Sequence, residues 1–113
     1  MELLKKIIKV LDERSAQDIR IYESNSPIFE YMVVATASSE RLLDALTTYV
    51  KEACEEAGFD YRGVEKSETW NLIDCRNIVV NIFTEESRSY YGLDKLYLGS
   101  NQIDVSKLLN GDL

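Results

Sequence analysis

The sequence predicts an α/β domain, with a mixed sheet of about five strands flanked by helices. Three observations point there. Helical and strand periodicities follow one another in the order helix–strand–strand–helix–strand–strand–strand–helix. Ile28–Thr36 (IFEYMVVAT) is a nearly continuous apolar run, which suits a central strand covered on both faces. Residues 40–57 keep helical apolar spacing over their whole length.

The elements can be justified in turn. Residues 2–13 place Leu3, Leu4, Ile7, Ile8 and Leu11 on one helical face, with Lys5, Lys6 and Lys9 opposite. Asp18–Glu23 alternates as a strand, and Ser24-Asn25-Ser26-Pro27 has turn chemistry at every position. Ser38 or Ser39 caps the second helix, Glu40 suits its first turn, and Gly58 supplies the stop. Phe59–Glu65 alternates weakly and reads as a short strand. Trp70–Cys75 and Ile78–Phe83 are strands joined by the short turn Arg76-Asn77. Thr84 then caps a helix opening with Glu85 and Glu86, on which Tyr90, Leu93 and Tyr97 form one stripe. Residues 1–98 make the domain. From Gly99 the pattern fades, and 99–113 reads as a C-terminal tail, loosely docked or disordered.

Composition narrows the chemistry. The 113 residues include one proline and no run approaching the length of a membrane span, and the N-terminus lacks a signal peptide, so a cytoplasmic protein is expected. A net charge of −7 is poorly suited to displacing counterions from phosphates, so little direct nucleic-acid binding is expected and a basic protein is the better partner. The absence of histidine removes the commonest general base and the commonest zinc ligand. Cys54 and Cys75 stand alone in their neighbourhoods and read as reduced, structural thiols. There is no Asp-x-Asp and no glycine-rich phosphate loop, so neither cofactor nor metal is expected.

Trp70, Leu72 and Asp74 share one strand face, an awkward combination for pure core because a buried lone carboxylate is costly. Trp is both a core filler and an interface anchor, so packing under a helix is an equal reading for Trp70. Acidic residues in a first helical turn are stabilising against the helix dipole, so taken alone Glu85 and Glu86 need no functional explanation. One of Tyr90 and Tyr91 is expected to pack on the sheet, leaving the other at the surface.

In Trp70-Asn71-Leu72-Ile73-Asp74, Ile78–Phe83 and the helix Glu85-Glu86-Ser87-Arg88-Ser89-Tyr90-Tyr91-Gly92-Leu93-Asp94-Lys95-Leu96, the chain resembles the bacterial and organellar ribosomal silencing factors, the Iojap family. Upstream, Glu30–Thr36 with Ser38, and Gln17-Asp18-Ile19, extend the resemblance over about residues 3–97. Ala37 stands where the family usually has glycine, Glu30 where it has aspartate, and Asn81 where it has histidine. The resemblance implies a fold akin to a minimal nucleotidyltransferase without its catalytic carboxylates. It also implies a non-enzymatic factor that binds the large ribosomal subunit through its protein number fourteen and blocks joining of the small subunit, repressing translation. A part in large-subunit maturation and homodimerisation are compatible with it. On this reading Trp70 and Tyr91 are aromatic anchors, Asp74, Glu85 and Glu86 acidic contacts, and Arg88 an organiser. The rivals are a nucleotidyltransferase-like enzyme and a dimeric adaptor.

Overall fold

The turn at Arg76-Asn77 holds Arg76 at φ +63°, which closes the hairpin in two residues and pairs Cys75 with Ile78. Every later pair of that hairpin follows from this register, out to Trp70 opposite Phe83. The hairpin supplies two strands of a six-stranded sheet in a computed structural model that describes residues 1–59 and 63–112.

The elements in chain order are α1 (Glu2–Glu13), β1 (Gln17–Glu23), β2 (Tyr31–Ala37), α2 (Glu40–Glu56), β3 (Gly63–Glu65), β4 (Trp70–Cys75), β5 (Ile78–Thr84), α3 (Glu85–Tyr91), a 3-10 turn (Leu93–Tyr97), β6 (Gln102–Ile103) and α4 (Val105–Asn110). The strand order is β3-β4-β5-β2-β1-β6. Among the described residues only β2 and β5 run parallel; every other neighbouring pair is antiparallel. The sheet is thus mixed, as expected, with one strand more than expected.

Its two faces are unequal. One carries the main core, where Leu4, Ile7, Ile8 and Leu11 of α1 and Leu43, Leu46 and Val50 of α2 meet Ile21, Val33, Ile73, Val80 and Ile82. The other carries a smaller cluster of Tyr22, Met32, Val34, Val79 and Phe83, against which Trp70, Leu72, Leu93 and Tyr97 pack while staying partly exposed. Period-2 alternation in β4 sorts Asn71, Ile73 and Cys75 to the first face and Trp70, Leu72 and Asp74 to the second.

The structure departs from the sequence expectations in five places. First, β2 begins at Tyr31 and not Ile28. The Ser24 and Ser26 hydroxyls accept from the backbone two residues on, and Pro27 has no N–H, so the loop runs longer and Ile28 is 67% exposed. Second, α3 stops at Tyr91 because Gly92 takes φ +60° and caps it. Third, residues 99–112, expected to be loosely docked or disordered, form β6 against β1 and α4 against α1, with Leu108 buried. The polar residues that suggested a loose tail are caps: Asp104 accepts from the Lys107 N–H, and Gly111 ends α4 at φ +76°. Fourth, Cys54 and Cys75 are not free thiols but a disulfide, with Cα atoms 6.5 Å apart. The packing of α2 across β4 lays the apolar side of the helix over the inward-facing Cys75. Fifth, of the weak strand expected at Phe59–Glu65, Gly63–Glu65 forms β3, while residues 60–62 lie outside the described residues.

Candidate partner-binding surface

The second face of the sheet displays the candidate site. Trp70 opens β4, its backbone N–H and carbonyl both bonded to the Ser67 hydroxyl. Ser67 is itself held, because its N–H donates to the Asn71 side chain, whose amide donates to Thr47 on α2. The start of α3 is tied to the same point. Thr84 N–H and the Ser87 hydroxyl both donate to the Thr69 carbonyl. This double tie brings α3 back over β4 and sets Tyr91 on Trp70, with ring centroids 4.8 Å apart.

Trp70 stacks on Phe83, its cross-strand partner, at 4.8 Å and 28°. Its indole N–H donates to Asn81 Oδ1 at 3.0 Å. The result is a half-exposed indole fixed on two rings and one amide, beside a groove of about 280 Å³ lined by Glu65, Lys66, Ser67, Trp70, Leu72 and Tyr91. Of the two tyrosines, Tyr91 is the one that packs on the sheet, against Trp70 and Phe83, while remaining 51% exposed, and Tyr90, 83% exposed, is left at the surface. Glu85 and Glu86 are exposed in the first turn of α3, where the Thr84 cap also holds the helix N-terminus.

Arg88 faces the other way and is buried. Its Nη1 donates to the Asp18 carbonyl and, at 2.8 Å, to Thr36 Oγ1; Nε and Nη2 bond Asp94 at 3.0 and 3.2 Å. An ion pair to the Asp18 carboxylate at 3.5 Å completes the set. One guanidinium thereby ties α3, β1, β2 and the 3-10 turn together. Tyr22 donates its hydroxyl to Asp94 as well. Burial pushes the Asp94 carboxyl upward, but the hydrogen bonds from Arg88 and Tyr22 prevail and hold it below its usual range. Burial, with the bond to Asp94, pushes the Tyr22 hydroxyl up to about 12.

Trp70 and Tyr91 are therefore brought together, with Glu85 and Glu86 on the same short helix. Asp74 is not part of that group. It lies four residues along β4, about 13 Å away at ~3.3 Å per residue, near the hairpin turn. Phe83 was not singled out from the sequence and Asn81 only as a departure from the family pattern, although a two-residue turn at 76–77 already pairs position 83 with 70 and 81 with 72. Nothing local marks Asp18, Thr36 and Asp94 as the partners of Arg88, or Tyr22 as a second partner of Asp94. Among the described residues there is no cluster of side chains suited to hold a metal, and no helix long and apolar enough to cross a membrane.

A family model described as "Ribosomal silencing factor during starvation" matches residues 1–112. The chain is 32% identical over 102 residues to ribosomal silencing factor RsfS of Chromobacterium violaceum, covering 87% of this chain and 84% of that protein. A crystal structure of a Chromobacterium violaceum protein superposes with a TM-score of 0.82 at 31% identity, over 91% of this chain and 88% of the other. A second crystal structure, from Bacillus halodurans, shares the fold with a TM-score of 0.79 at 24% identity, over 91% and 97% of the two chains.

Proposed function

Since the chain belongs to the family of ribosomal silencing factors, we propose that it binds the large ribosomal subunit through the subunit's protein number fourteen and holds off the small subunit as a steric wedge. The family is one of regulators associated with the ribosome, and the action proposed for this chain needs no bond to be made or broken. The observation that carries the reading is the half-exposed Trp70, stacked on Phe83 and beside Tyr91, on the sheet face that α1 and α2 leave free. Rigid aromatics of this kind are the usual anchors of protein interfaces. Exposed Glu85 and Glu86 on a chain of net charge −7 complement a basic ribosomal protein. Arg88 serves the surface from beneath, by fixing α3.

The test is co-sedimentation with separated large and small subunits, followed by a subunit-joining assay. Selective binding to the large subunit with fewer joined ribosomes is expected. Trp70→Ala should fold normally by circular dichroism and bind about thirtyfold more weakly, the effect of ~2 kcal/mol at an interface anchor. Binding to neither subunit sinks the proposal. An unfolded Trp70→Ala would make Trp70 a core residue and remove it from the surface.

A further inference from the structure

Asn81 occupies the middle of β5, only 1% exposed, in the layer formed by Met32, Val34, Val79 and Phe83. An amide buried among apolar groups is unfavourable unless its polar atoms are bonded. Its Oδ1 accepts the Trp70 indole N–H at 3.0 Å, while Nδ2 donates to Met32 Sδ at 2.7 Å and to the Val33 carbonyl at 3.5 Å. The indole N–H is donor-only, so it must meet the amide oxygen, and that dictates which way the amide points.

Stacking on Phe83 and tilting against Tyr91 hold the plane of the indole, but neither contact gives its N–H an acceptor. A ring turned over by half a rotation about its Cβ–Cγ axis carries the benzo ring to the other side and points the N–H away from Asn81. The two orientations differ in where the N–H points. Among the described residues Asn81 Oδ1 is the one acceptor it meets, so the hydrogen bond selects one orientation and the stacking holds it there.

We propose that Asn81 is a positioning residue for the partner surface, fixing Trp70 in a single ring orientation before the partner arrives. Pre-ordering an anchor removes part of the entropy loss that binding otherwise incurs. The interface part of this proposal rests on the silencing reading above; the orientation part does not.

Trp70 is the sole tryptophan of the chain, so its spectroscopic signals report on this one site. With 5-fluorotryptophan in the otherwise unaltered protein, a single ¹⁹F resonance is expected, and two resonances in slow exchange would overturn the proposal whatever the ribosome does. Asn81→Leu, matched in branching and heavy-atom count though bulkier, should keep the melting temperature within a few degrees and add a second fluorescence lifetime. It should also weaken large-subunit binding about tenfold. In a Trp70→Ala background the same change should have no further effect on binding, because Asn81 acts only through the indole. Losses that add in the double variant, or an Asn81→Leu variant with unaltered lifetimes, would reduce Asn81 to a satisfied core amide. If the unaltered protein binds no subunit, the silencing reading falls while the ¹⁹F and lifetime results still decide the orientation.

Discussion

At the scale of single residues, the Arg88–Asp94–Tyr22 chain is the group whose charge state matters most to the fold. Asp94 is held below the usual carboxylate range, so its contribution is present above about pH 4, the value for an unperturbed Asp, and is lost as pH falls through its folded value. Tyr22 behaves oppositely. Its folded value of about 12 lies above the ordinary 10, so its contribution is complete below pH 10 and is lost as pH rises from 10 towards 12. Urea titrations across pH should show both limbs in the unaltered protein. Asp94→Asn should flatten the acid limb and Tyr22→Phe the alkaline one; an acid limb unchanged in Asp94→Asn would place the titrating group elsewhere. Of these three residues only Arg88 stood out from the sequence. Its partners lie 6 to 70 residues away along the chain, and no local pattern announces such a meeting.

At the scale of elements, the caps carry the information. Ser39 bonding the Leu42 N–H and Thr84 bonding the Ser87 N–H both follow from side-chain chemistry within one turn, which is why both helix starts were legible. The end of α3 was not. Leu93 and Tyr97 continue the apolar spacing of a helix, so Gly92 reads as interior, whereas it adopts φ +60° and the chain re-enters as a 3-10 turn. That break lets Leu93 and Tyr97 pack on the second face of the sheet while Tyr90 points to solvent. A Cβ at position 92 would meet only Lys95 at ordinary distance, so Gly92→Ala is strained by its backbone angle alone. It should lower unfolding stability by about 1 kcal/mol, measured by denaturant titration. A neutral result would mean that α3 runs on through position 92 without hindrance.

At the scale of the whole molecule, two long-range ties decide how the sheet edges are finished. The Cys54–Cys75 disulfide binds α2 to β4 across a separation of 21 residues, and closing a loop of that size stabilises by about 3 kcal/mol in the chain-entropy account. Both cysteines are fully buried, so reduction should be slow in the folded state. In the double variant Cys54→Ala, Cys75→Ala, which cannot form the bridge, the domain should melt roughly 10 °C lower or more. An unchanged melting temperature would show that the bridge adds nothing to the apolar packing of α2 on the sheet. At the opposite edge, β6 pairs with β1, and α4 places Leu108 against α1.

The sequence by itself determined the α/β class, the order of the elements as far as α3, the hairpin register, the two helix starts and the resemblance that led to the family. Each of these rests on apolar period, cap chemistry or turn length, all confined to a few neighbouring residues. Tertiary structure alone decided that Trp70, Phe83 and Tyr91 share one surface and that Arg88 reaches Asp18. It likewise decided that Cys54 meets Cys75 and that the last residues dock. These contacts depend on which way α2 and α3 lie on the sheet, and that is set by packing across the fold.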